Sequence, residues 1–280
     1  MDKKEKMIIT VTGLIILAIL LIVIMVMGLG NKGVTGAPHF IGQYSENDIA
    51  IDESYDVNSI NEISIKSNAA DIELIENTDV EKIAVKVFAE QDEVKLDNIE
   101  GKMNINIDID STFFNVNRKL PVVKIYVPQE SEKTINIDSD YGDVTVANLF
   151  KTKLTADLDY SNLNIAGINE ANIESDYGNI DIENVSNLVA KLDYGNINVN
   201  KVSNKFQVSN NCGEVEVSEI DIKEDSNIKV DLGNIRVGKT NEVNIISKVD
   251  VGNSKVNNNY KESNVRLDLK CNMGNIKVNN

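Results

Sequence analysis

The sequence predicts an all-β fold: a β-solenoid (β-helix-like) of about eight coils of 17–22 residues with an N-terminal β region, preceded by one transmembrane helix. Three observations predict it. No residue between Lys6 and Lys32 is charged. From Glu62 onward apolar and polar residues alternate with period two, as half-buried strands require. Eight related segments then recur about every 19 residues, the mark of a stacked repeat.

The uncharged run comes first. Its roughly 23 residues would span about 34 Å as a helix, enough for a hydrocarbon core of about 30 Å. Lys3, Lys4 and Lys6 precede it, and positive charge stays inside. Residues 1–6 are therefore expected to be a cytoplasmic tail and 7–30 a single-pass cell-membrane anchor, with the N-terminus in the cytoplasm and the rest outside. Cleavage is the alternative: Thr35-Gly36-Ala37 is the nearest small-residue site, though Pro38 follows it. Residues 31–60 are rich in Gly, Ser and acids and read as a stalk. The only histidine, His39, falls there and is expected to be solvated.

Residues 61–280 form the expected ectodomain. Period-two runs include 63–66, 71–74, 83–87, 103–109 and 122–127. The repeats follow: SDYGDVTV, LDYSNLNI, SDYGNIDI, LDYGNINV, NNCGEVEV, VDLGNIRV, VDVGNSKV and CNMGNIKV, anchored on Gly142, Ser161, Gly178, Gly195, Gly213, Gly233, Gly252 and Gly274. Segment 67–72 is a weaker earlier copy. Apolar residues fall at odd offsets before the anchor and at even offsets after it. A one-residue slip exchanges a strand's faces, so the chain must bend or bulge at the anchor, where glycine permits it. Each unit thus reads as strand, corner, strand, loop, and stacking the units buries what one unit cannot. A two-sheet sandwich built from the same strands is the rival architecture.

Three columns flank the corner: by the phase of the alternation those two residues before and one residue after the anchor point outward, and the one immediately before it has the core parity. Two residues before the anchor stand Asp140, Asp159, Asp176, Asp193, Asn211, Asp231, Asp250 and Asn272. Carboxylates about 4.8 Å apart repel by roughly 1 kcal/mol in water and more at lower dielectric. Either each Asp accepts from the N–H two residues on, as in an Asx-turn, or cations sit between Asp140, Asp159, Asp176 and Asp193. One residue after the anchor, a mostly Asn column is expected to form an amide ladder. Immediately before it stand Tyr141, Tyr160, Tyr177 and Tyr194, which read as stacked corner packing or as a sugar-binding stripe. Cys212 and Cys271 fall three coils apart in chain order, too far for a disulfide.

Composition narrows the function. The net charge is −16, of which residues 1–30 contribute +1, leaving −17 for the remainder. Such a surface repels phosphate backbones, so nucleic acid is excluded as a partner. The 39 asparagines and 3 prolines suit turns and ladders rather than proline-rich disorder. Carboxylates repeat evenly instead of converging, and the arginines are only Arg118, Arg236 and Arg266. No catalytic, cofactor-binding or confident metal-binding residues are expected, and no cofactor.

The run Ile125-Tyr126-Val127-Pro128, then Ile135-Asn136-Ile137, then Tyr141-Gly142-Asp143-Val144-Thr145-Val146, followed by the DYGNI units, resembles the putative-adhesin β-strand-repeat family of unknown function. The likeness covers roughly residues 60–280. It implies a β-helical ectodomain and a link to adhesion or envelope stress; it carries over no functional residues. The expected function is a non-catalytic, membrane-anchored surface protein, adhesin-like or a scaffold for an envelope polymer or a membrane-protein partner. The alternatives are an accessory sensor of envelope stress and, further off, a glycan-active enzyme. The final coil ends at Asn280 without an obvious cap, so that either its Asn-rich end is polar enough to resist strand pairing or the domain self-associates there.

Overall fold

The computed structural model describes residues 40–77, 79, 81–109, 118–257 and 259–279. The expected tail and membrane helix, residues 1–30, lie outside the described residues, as does the stretch 31–39 with His39. Among the described residues no helix is long and apolar enough to cross a membrane. Residues 42–109 and 119–280 form one compact unit. Residues 1–41 and 110–118 form another, nearly all of it outside the described residues.

The repeats wind as a solenoid. Val144–Tyr160, Leu163–Tyr177, Ile180–Tyr194 and Ile197–Cys212 are four long strands, each parallel to the next, with register shifts at the bend between Leu149 and Lys153 and between Val185 and Asn187. The parallel ladder rules out a sandwich of hairpins. One sheet leads into each corner and a second sheet leads away from it: each strand leaves a corner along the second sheet, bends, and returns along the first sheet to the next corner. The expected loop after each unit is absent here, because the strand runs through the bend. Ten parallel tiers stack in this way among the described residues: the eight repeats, the copy at Glu62–Asn77, and a tier made of Lys102–Ile107 and Val122–Pro128.

The core lies between the two sheets. After the corner, Val144, Leu163, Ile180, Ile197, Val215, Ile235 and Ile276 form one buried column, with Val146, Ile165, Ile182, Val199, Val217, Val237 and Val278 beside it. Before the corner, columns through Ile135, Leu154, Leu188, Phe206 and Leu267 and through Ile137, Ile173, Val208 and Leu269 face them. Burying one such side chain is worth about 1.5–3 kcal/mol, and β-branched residues suit these stacked, pleated positions.

The corner explains the phase change. Gly142, Gly178, Gly195, Gly213, Gly233, Gly252 and Gly274 have φ between 113° and 147°. A Cβ on Gly195 would lie 1.7 Å from the Gly178 carbonyl oxygen, and the other six would lie 1.6–2.1 Å from that of the neighbouring tier. The tiers therefore touch backbone to backbone. Ladder bonds continue through the corner: Gly178 N–H donates to Tyr194 O at 3.1 Å and Gly195 N–H to Cys212 O at 3.0 Å.

At both ends the chain doubles back. Ser226–Leu232 pairs not with the next repeat but with Arg266–Met273, which in turn pairs with Asn244–Val251. The last coil is thus inserted inside the stack, and the coil at Gly252 closes it. This corrects the expectation that the final coil is an open edge: strands 266–273 and 276–278 are paired on both sides. The closing tier carries Ser247 and Ser254 at core positions, their hydroxyls 2.9 Å apart, so the core ends in polar groups. Asn259 donates to Ile245 O at 2.7 Å and accepts from Ile245 N at 2.8 Å. Lys248 and Lys255 stand exposed on the two outermost strands, and edge lysines disfavour strand addition.

The other end is closed by antiparallel strands. Val94–Ile99 turns back on Lys102–Ile107 through Glu100 and Gly101, both at positive φ, as a two-residue hairpin requires. Lys82–Phe88 pairs antiparallel with Val122–Pro128, and Ile49–Asp56 with Lys82–Phe88. Residues 49–60 were expected in the stalk, yet they belong to this cap. Ile60 is fully buried, and Lys133 Nζ donates to Val57 O at 2.8 Å and Ile60 O at 2.6 Å. Period-two patterning at 49–56 is broken by acids, because only one side of this outer strand meets the core.

The inversion brings Cys271 two tiers from Cys212 instead of three, about 10 Å at strand spacing, and both are free thiols. Cys271 is fully buried, burial raises its pKa, and its Sγ donates to Gly233 O at 3.3 Å. Alkylation of the native chain should therefore modify Cys212 alone, with Cys271 reacting only after unfolding; equal labelling would contradict this burial. Gly195→Ala should cost about 3 kcal/mol or more, lowering Tm by roughly 6–12 °C. Gly167→Ala meets only the ring of Phe150, itself 46 % exposed and free to swing, so its Tm should move far less.

Candidate functional site

Three surface columns run along the corner, and a groove lies on the second sheet. The register that pairs Tyr141, Tyr160, Tyr177 and Tyr194 aligns all four rings. Their centroids are 5.2, 4.9 and 4.9 Å apart, with planes within 8°. Each ring pair adds about 0.5–1.5 kcal/mol beyond burial. The offsets predicted an inward-facing column, but Tyr160 and Tyr194 are 51 % exposed. The core phase stops at Ser139, Leu158, Ser175 and Leu192, three residues before the anchor, and the bend turns the next side chain out. A sugar stacks on an open ring face. Here each inner ring has a neighbour on both faces, so the stripe presents edges and hydroxyls.

Asp140, Asp159, Asp176 and Asp193 stand in the adjoining column. The Asx-turn account fails at Asp159, Asp176 and Asp193, since the corner N–H groups at Ser161, Gly178 and Gly195 donate to backbone carbonyls of the neighbouring tier. Burial and the charge of Asp138 raise the Asp140 pKa; burial and the charges of Asp140 and Asp176 raise that of Asp159. Further along, amides separate the carboxylates. Asn211 donates to Asp193 at 2.6 Å and Asn272 to Asp231 at 2.8 Å. In stacked order the column reads Asp193, Asn211, Asp231, Asn272, Asp250, and Asn272 stands between Asp231 and Asp250 only because the last coil is inserted. Among the described residues no three His, Cys, Asp or Glu side chains converge on a point that would hold a metal.

The third column is a hydrogen-bonded ladder, as the sequence predicts. Asn162 N–H donates to Asp143 Oδ1 at 3.1 Å, Asn179 N–H to Asn162 Oδ1 at 3.0 Å, and Asn196 N–H to Asn179 Oδ1 at 3.0 Å. The ladder continues through Glu214 and resumes from Asn234 to Asn275 to Asn253. At these corner residues a neighbouring side chain supplies the N–H with an acceptor. This column is structural.

The groove was missed by sequence reasoning. It covers the outer face of the second sheet with a volume of about 740 Å³. Thr145, Asn164, Asp181, Asn198 and Glu216 line one row, and Ala147, Ala166, Glu183, Asn200 and Ser218 the next. Asn198 donates to Asp181 at 2.7 Å and Asn200 to Glu183 at 2.6 Å, which fixes the row. The available signal was small residues, Thr145, Ala147 and Ala166, at outward strand positions. They leave a hollow that longer side chains would fill.

The carboxyl column yields a pH test. A carboxyl with a folded pKa above its unfolded value makes the charged form costly. That cost is absent below the ordinary carboxyl range and present once pH exceeds the folded pKa. Asp159→Asn should therefore raise Tm by about 1–2 °C at pH 7 in low salt, consistent with roughly 0.5 kcal/mol for an exposed charge. The gain should vanish near pH 3 and shrink in 1 M NaCl. A gain that survives both conditions would contradict charge repulsion as its source.

No curated protein matches the chain. Among solved structures, it is similar to a putative lipid binding protein from Parabacteroides distasonis, at 16 % identity and TM-score 0.50, covering 86 % of this chain and 99 % of that one. Putative adhesins from Bacteroides fragilis and Parabacteroides distasonis show 17 % and 12 % identity, TM-scores of 0.45 and 0.31, and coverage of 84 % and 85 % of this chain and 99 % of each of theirs. Likeness at these identities concerns the fold alone. The Toastrack DUF4097 family model matches residues 60–280, so the chain belongs to the Toastrack DUF4097 family, a family of unknown function.

Proposed function

We propose that this chain is a non-catalytic, membrane-tethered surface scaffold whose second-sheet groove binds an extended polymer of the cell envelope. The observation that carries the reading is that groove: ten side chains from five tiers form a continuous, open, hydrogen-bonding face with small residues along one stretch. Amides, hydroxyls and carboxylates at regular spacing suit a ligand that is itself repetitive, neutral or cationic, and rich in hydroxyls or amides. Residues 7–30 supply the tether, with the N-terminus in the cytoplasm and the β domain outside. Among the described residues the carboxylates are spread along columns and do not converge on one point, which favours binding over catalysis.

Asn164→Trp and Ala166→Trp place a bulky ring in the groove from exposed positions, leaving the core columns intact. The full chain in detergent should sediment with isolated wall glycan, and either variant should reduce that binding at least tenfold at unchanged Tm. Equal sedimentation of variants and parent, or none by the parent, would overturn the reading.

A further inference from the structure

The corner column does not end with the tyrosines. In stacked order it reads Tyr141, Tyr160, Tyr177, Tyr194, Cys212, Leu232, Met273, Val251. Eleven large apolar side chains are strongly exposed among the described residues, and five of them stand in this column: Tyr160, Tyr177, Tyr194, Leu232 and Val251, at 38–51 %. Isolated exposed apolar groups need no explanation, but a contiguous line of them marks a contact surface. Eight tiers at about 4.8 Å give a ridge roughly 34 Å long, the length of a helix of about 22 residues.

The flanks identify the occupant by charge. One side of the ridge is the carboxyl column, with Asp at six of eight tiers and Asn at the other two. The other side is the Asn ladder, whose backbone and side-chain hydrogen bonds make it rigid. Asp231 and Asp250 pair with Lys229 at 3.1 Å and Lys248 at 3.5 Å, which concentrates the negative charge beside the tyrosines, at Asp140, Asp159, Asp176 and Asp193. An apolar line beside that negative stretch is complementary to a segment with an apolar stripe and a basic flank. Anionic lipid surfaces and nucleic acid are disfavoured by the same carboxylates. Glycans are disfavoured because the inner tyrosine faces are occupied.

We infer that this corner ridge docks a basic amphipathic segment of a partner protein, with the apolar stripe on the Tyr–Leu–Val column and the cations against Asp159, Asp176 and Asp193. The surface is separate from the second-sheet groove, so the two readings stand or fall independently.

The probe is a 22-residue Leu/Lys peptide with a helical apolar stripe, titrated by fluorescence anisotropy against the full chain in detergent. Micromolar binding in low salt, weakened at least tenfold in 0.5 M NaCl, is expected. Joint Asp159→Asn, Asp176→Asn and Asp193→Asn should weaken it at least tenfold, as should Leu232→Glu alone, which leaves the tyrosine stack in place. Asn164→Trp should leave it unchanged. A Leu/Glu peptide, or a sequence-scrambled peptide without the stripe, should bind at least tenfold more weakly. No binding of the Leu/Lys peptide, equal binding of either control peptide, or unchanged binding by the triple-Asn or Leu232→Glu chains would overturn the inference.

Discussion

Everything in this domain depends on backbone meeting backbone at one corner. Seven glycines at positive φ let successive tiers approach until no Cβ fits between them. That contact sets the tier spacing, exchanges the inward and outward faces, and aligns every other column. The Asn ladder is its consequence. A turn this tight strands one N–H per tier, and a side-chain amide on the neighbouring tier accepts it. Ser161 holds one corner position without a positive φ, so the column tolerates a single non-glycine tier between Gly142 and Gly178.

A stack of identical tiers has two open ends, and each is closed differently. At one end antiparallel strands fold over the ladder, with Lys133 holding the turn before Glu62 in place. At the other, the chain passes the final position, makes the polar closing tier, and returns to insert its last coil beneath it. The return also interposes Asn272 between Asp231 and Asp250, so the route of the chain relieves a repulsion that sequential stacking would create. The spacing from Gly252 to Gly274, 22 residues and the longest of the series, accommodates the extra path.

Outward columns divide by whether the stack uses their hydrogen-bonding capacity. The Asn ladder spends its acceptors on corner N–H groups and is structural. The carboxyl column keeps charge it does not neutralise at Asp140 and Asp159, the corner ridge keeps apolar area exposed, and the groove keeps a hollow. Surfaces left unsatisfied by the fold are those available to a ligand or a partner.

The sequence by itself determined the repeat, the corner glycine, the core columns at Val144 and Val146 and their counterparts, and the amide ladder. All of these are local and periodic, so they survive in one dimension. Only the tertiary structure decided the order of tiers, because hydrogen-bonded strands of equal length and pattern are interchangeable in sequence and become distinct only when their ends are closed. It also decided the exposure of Tyr160 and Tyr194: offset parity assumes a straight strand, and the chain bends two residues later. The membership of 49–60 in the cap and the groove over Asn164 and Ala166 were settled in the same way, since both depend on which segments lie side by side and not on any residue's own preference.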